Sequence, residues 1–219
     1  MMIITSCNSH LEETRGVDEV ISYYGGNCKY SVGTSISTNN STNHYLELEL
    51  SNSQSLEPFI DIADLPASNI AYLCYHHLDN NKTTYNQINT ILVFKGGKRV
   101  SFSYATSQLD MVEKKMLVLD KVISLLKMHN YRDIKALLDD KAQFKYNKDT
   151  LVSSIIKAEP VLGDIKGFKT LGFQIITIDG IDLLHLSGVI ERKKTSHQFS
   201  IDIDTDLNKN QIINLQYKL

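Results

Sequence analysis

The C-terminal stretch of the chain confines it most. From Thr170 to Tyr217 apolar residues recur at every second position in four runs, about 170–178, 181–191, 197–204 and 211–217. A period of two lays one face of a strand on a core and leaves the other face wet. Asp179-Gly180 separates the first two runs as a tight hairpin turn. Ahead of the strands, Val112, Met116, Leu119, Val122, Ile123 and Leu126 fall on one side of a long helix spanning Leu109–His129. A short helix over Tyr131–Asp139 follows. A third runs over Asp149–Leu162, with Asp149 as its cap and Gly163 near its end. Three helices and then a four-stranded antiparallel meander predict an α+β domain.

The N-terminal half reads as a separate α-β-β-α-β-β unit. A short helix over residues 10–24 ends at Gly25-Gly26. Lys29–Thr38 and His44–Leu50 alternate as strands, the second with Leu46, Leu48 and Leu50 against Tyr45, Glu47 and Glu49. Leu56, Phe59, Ile60 and Ala63 have helical spacing with Ser55 as the N-cap, and Pro66 is expected to break that helix. The apolar stripe resumes at Ile70, Leu73, Cys74, His77 and Leu78. Strands Ile88–Phe94 and Arg99–Tyr104 flank Gly96-Gly97, a hairpin signal. The expected domains are residues 10–107 and 108–219, with residues 1–9 as a tether.

Composition narrows the function classes. The 219 residues are long enough to bury a core without disulfides or a metal, and 42% apolar with 22% charged content excludes a disordered or collagen-like chain. No apolar run reaches the ~18 residues of a membrane span. A net charge of −2 supplies no basic field for nucleic acid. Nineteen of the 23 basic residues are lysine, as expected of an AT-rich bacterial genome. The three cysteines, Cys7, Cys28 and Cys74, make no zinc pattern. An odd count gives no self-contained disulfide framework and leaves room for one Cys28–Cys74 bridge in an oxidising compartment. No Walker loop, GxSxG, HExxH or GxGxxG sequence occurs.

Two segments resemble known families. Met1-Met2-Ile3-Ile4-Thr5-Ser6-Cys7, followed at once by polar Asn8-Ser9-His10, resembles the end of a bacterial lipoprotein signal peptide. The resemblance implies a start further upstream, lipidation of Cys7 and attachment to a membrane surface through that anchor. Met128-His129-Asn130-Tyr131-Arg132-Asp133-Ile134 leads into Leu137-Leu138-Asp139. The helix from Asp149, Leu162-Gly163 and a hairpin around Asn208–Gln211 follow. On these features residues 109–219 resemble the nuclear-transport-factor-like (cystatin-like cone) superfamily, closest to small bacterial domains of unknown function. That resemblance implies helices held in the concave face of a curved meander sheet. The superfamily includes steroid isomerases, dehydratases and non-catalytic binding or assembly modules, so fold alone selects none of them.

Candidate chemistry is sparse. His185 stands mid-strand on the face of Ile181, Leu183 and Val189, opposite Leu184, Leu186 and Ile190. In a cone it is the candidate general base, an imidazole among aliphatics. Asp202-x-Asp204-x-Asp206-x-Asn208 has the alternation of a calcium loop. Leu207 and Ile213 stand where that loop needs Gly and Glu, so the carboxylates read as the wet face of a strand. Cys74 and His77 share a helix face without a third metal ligand in register. Glu191-Arg192-Lys193-Lys194 reads as a solvated turn.

The reading that follows is a non-enzymatic, lipid-anchored envelope protein that binds a small apolar ligand or a protein partner, with no cofactor, metal or nucleic acid. An isomerase- or dehydratase-type enzyme using His185 is the alternative. A cytoplasmic assembly module, homodimeric through an exposed sheet, is the third.

Overall fold

The computed structural model describes residues 11–36, 42–140 and 147–217. The chain divides into two compact units between Asp110 and Met111. Five α-helices and two four-stranded sheets among the described residues make it an α+β protein. Cys7 lies outside the described residues.

The first unit runs α1 (Leu11–Tyr24), β1 (Asn27–Ile36), β2 (Thr42–Ser51), α2 (Asp64–His76), β3 (Gln87–Val93) and β4 (Arg99–Ala105). Its sheet has the order β1-β2-β3-β4, antiparallel at both outer pairs and parallel between β2 and β3. A parallel pair needs a crossover, and α2 supplies it. Leu46, Leu48 and Leu50 of β2 pair with Ile88, Thr90 and Leu92 of β3, all without solvent exposure. Each such leucine contributes roughly 1.5–3 kcal/mol of burial. At Gly16 the two helices come close: a Cβ there would stand 2.8 Å from Cys74 Sγ and 2.9 Å from Cys74 Cα. Gly96 and Gly97, both with positive φ, turn β3 into β4.

The helix expected around Leu56–Ala63 is instead a single 3₁₀ turn, Glu57–Phe59, and Ser55 stands at neither cap position. Helix α2 starts later, at Asp64, which places Pro66 in its first turn. Backbone N–H groups there have no intrahelical acceptor, so proline costs no hydrogen bond and the helix continues through it.

The second unit comprises the rest of α3 (Thr106–Lys127), then α4 (Tyr131–Leu137), α5 (Lys148–Leu162), β5 (Ile165–Ile178), β6 (Ile181–Arg192), β7 (His197–Asp204) and β8 (Ile212–Tyr217). The four strands pair in sequence order, each antiparallel to the next. Asn147 caps α5, accepting from the Thr150 amide at 2.8 Å; Asp149, the expected cap, lies inside the helix instead. Leu184, Leu186, Ile190, Phe199, Ile201 and Ile203 form the apolar face. The opposite face of β7 departs from expectation. Ser200, Asp202 and Asp204 are buried rather than facing water, and both carboxylates are tolerated there because each has hydrogen-bond partners.

Candidate functional site

A cleft of about 470 Å³ opens in the second unit beside the C-terminal end of α5. Ile156 and Pro160 of α5 and Tyr131 of α4 give it apolar walls, and His129, Lys193 and Lys194 supply polar edges. Its size falls within the ~300–1,000 Å³ typical of small-ligand sites. Glu159, Gly163 and Asp164 also line it. Lys193 pairs with Asp164 at 2.6 Å, and Lys194 donates to the Pro160 carbonyl at 2.9 Å. Of the charges lining the cleft, Lys193 is matched by Asp164 and Glu159 by Arg192, which stands behind the wall and outside the lining. The Lys194 ammonium at the edge is left over and makes that edge weakly positive.

Arg192, expected in a solvated turn, is the buried anchor of this wall. Its side chain has 0% exposure and that of Glu159 7%. One terminal nitrogen donates to Glu159 Oε2 at 2.8 Å and to the Gly163 carbonyl at 2.7 Å. The other donates to Glu159 Oε1 at 2.6 Å and to the Tyr217 hydroxyl. Arg192 Nε donates to His197 Nε2 at 3.1 Å. All five guanidinium N–H groups are thereby used. Tyr217 in turn donates to Glu159 Oε1 at 2.7 Å. Burial alone would raise the Glu159 carboxyl, but the Arg192 and Tyr217 hydrogen bonds outweigh it and hold the group below its ordinary range. Accepting from Arg192 requires a lone pair on His197 Nε2, which leaves the proton on Nδ1, 3.1 Å from the Gln198 carbonyl. Burial, with the Arg192 charge beside it, accordingly lowers the His197 imidazole below the usual histidine range.

His185 does not line this cleft. The sheet register aligns it with Gln174 of β5, Asp202 of β7 and Asn214 of β8. Its Nδ1 lies 2.5 Å from Asp202 Oδ1, and Asn214 Nδ2 donates to Asp202 Oδ2 at 2.8 Å. The Asp202 side chain is 3% exposed and that of His185 21%. Rather than a lone imidazole among aliphatics, His185 is one whose ring is oriented by a buried carboxylate. Such an arrangement fixes the proton on Nδ1 and leaves Nε2 free to accept one. Ser187, two residues along the same strand face, has a buried hydroxyl without a hydrogen-bond partner among the described residues.

The remaining sequence candidates are held in structural roles. Cys74 is buried under α1, and burial pushes its thiol well up; the Cys28 thiol rises to about 11 for the same reason. Both are free thiols. His77 faces Glu19 at 3.9 Å. In the aspartate run, Asp204 accepts from the Asp206 amide and from Lys209 Nζ, and Asp206 accepts from the Asn208 amide. Besides Lys209, this loop is served by Lys115 of α3, which is buried and donates to the Asp206 and Lys209 carbonyls at 2.7 and 2.5 Å. Among the described residues no three or more His, Cys, Asp or Glu side chains gather as a metal site, and no helix is long and apolar enough to cross a membrane.

No protein-family model matches the chain, and no curated protein or solved structure is significantly similar to it.

Proposed function

We propose that the chain is a non-enzymatic binding protein of the bacterial envelope, held at a membrane surface through a lipidated Cys7, with its ligand site in the second unit. The observation that carries the binding role is the cleft beside α5, apolar in its walls and weakly positive at its edges. A ligand that matches it has an apolar body and one negative charge. Three helices followed by an antiparallel meander are consistent with the cone resemblance of residues 109–219, in which such modules bind ligands or assemble.

The dye 8-anilinonaphthalene-1-sulfonate has this chemistry and reports its binding by fluorescence. Titration of the full chain is expected to saturate at one site. Ile156→Asp, at an exposed position of the cleft, is expected to weaken binding about tenfold or more. Ile178→Asp, equally exposed at the β5–β6 hairpin and outside the cleft, should leave it unchanged. Binding that ignores Ile156→Asp would overturn the assignment. The envelope placement rests on the Cys7 segment and has its own test, the mass of the N-terminal peptide from the native host. A diacylglyceryl-modified Cys7 as first residue is expected, and an unmodified Met1 would refute the anchor.

A second reading, proton transfer of the isomerase or dehydratase type, is favoured by one observation. Asp202 and Asn214 orient His185 as a general base would need. This reading places the reacting ligand on the polar face of the sheet, away from the α5 cleft.

A further inference from the structure

A sheet edge offers unpaired backbone groups to any other strand, and folded chains blunt their edges with charges, bulges or brevity. Among the described residues, three of the four sheet edges carry such devices. Strand β5 has two register irregularities and displays Lys166 and Lys169. Strand β8 is six residues long and faces an irregular stretch of β7. Strand β4 has seven residues and opens on exposed Arg99. Strand β1 differs. It is ten residues long, pairs with β2 without interruption from Asn27 to Ile36, contains no proline and bears one charge, Lys29.

Strand β1 is also tied to β2 by side chains. Thr34 Oγ1 and His44 Nδ1 are hydrogen-bonded across the pair at 3.0 Å. The Tyr45 ring lies directly against Gly33, where any Cβ would collide with it. Val32 is 49% exposed and Ile36 74% exposed, on the same side of the strand as half-buried Cys28 and Tyr30. An edge with a single charge and with exposed β-branched Val32 and Ile36 is suited to strand addition.

We infer that β1 pairs antiparallel with β1 of a second copy of this chain, about a two-fold axis at Val32. In that register Val32 meets Val32, Cys28 meets Ile36, and Tyr30 meets Thr34. Both exposed apolar residues are covered, and the pairing spans residues 28–36. Lys29 then faces Ser35 rather than another lysine, so no like charges are opposed. Shifting the axis to Ser31 would leave Ile36 beyond the pair, and an axis at Tyr30 would shorten the overlap. The two four-stranded sheets become one continuous sheet. The pairing is independent of the α5 cleft.

Sedimentation velocity of the full chain over a hundredfold range of concentration tests this. A monomer–dimer equilibrium is expected. Val32→Lys sets two lysines against each other and should raise the dimer dissociation constant about tenfold or more. Val32→Cys gives a readout that does not depend on destabilising anything. Mild oxidation should link two copies of Val32→Cys, whereas Thr34→Cys, which faces Tyr30, should link no more than the unsubstituted chain does. A strict monomer would overturn the inference. So would a dimer that tolerates Val32→Lys, or Val32→Cys copies that fail to link within the dimer.

Discussion

Replacing Arg192 by alanine is expected to destabilise the second unit by about 3–5 kcal/mol, because the change leaves a buried carboxylate without its partner. Glu159 keeps only the Tyr217 hydroxyl, while the Gly163 carbonyl and His197 Nε2 lose their donor. Hydrogen exchange locates the effect: protection in β6 and β7 should fall, while that in β2 and β3 stays. Removing both charges with Arg192→Met and Glu159→Met should recover much of the loss, since an apolar pair of similar volume has no charge to desolvate. The same wall gives the second unit a pH dependence. The His197 imidazole has a lowered folded-state pKa, so below about pH 6.5 the unfolded chain binds the proton first. Stability is therefore full above about pH 6.5 and declines on acidification, before Glu159 and the other carboxylates begin to titrate. His197→Asn should flatten that slope. An Arg192→Ala chain with unchanged exchange in β6 would contradict this account of the cleft wall.

Lys115→Ala is expected to cost roughly 3 kcal/mol, as two hydrogen bonds from a charged donor are lost at about 1.5 kcal/mol each. The buried ammonium bonds the Asp206 and Lys209 carbonyls, with Asp204 and Asp206 nearby. Burial lowers the Lys115 pKa, and these two carboxylates oppose the shift. Lys115→Met keeps the aliphatic stem and removes the ammonium, so it should show most of the loss if the carbonyl bonds are responsible. Urea denaturation measures both variants, and hydrogen exchange should place the change in the Asp204–Asn210 loop. If Lys115→Met proved as stable as the unsubstituted chain, the lysine would contribute packing alone.

Much of the secondary structure was legible because it depends on local pattern. The alternation of Leu46, Leu48 and Leu50 marks a half-buried strand, and Gly96-Gly97 and Asp179-Gly180 have the positive φ their turns require. Pro66 misled because its effect depends on where a helix begins, and the stripe of apolar residues continues through the start of α2. The burial of Asp202 and Asp204 was not legible, since it depends on His185, Asn214 and Lys209, brought alongside by strand register and a loop. The sequence does carry a signal for the burial of Arg192. The inward series Leu184, Leu186 and Ile190 reaches Arg192 two residues further on, in a chain with four arginines. Its lysine neighbours made the segment resemble a solvated turn. Glu159 and Tyr217, its partners, stand 33 and 25 residues away in sequence, and no spacing rule connects them.

The central claim, ligand binding at the α5 cleft, is tested most directly by mapping amide shifts of the isotope-labelled full chain during titration with 8-anilinonaphthalene-1-sulfonate. The account predicts shifts clustered at His129, Tyr131, Ile156 and Lys194, and little change around His185. Shifts centred on His185, Ser187 and Asp202 would contradict it and move the site to the polar face of the sheet, where the proton-transfer reading places it.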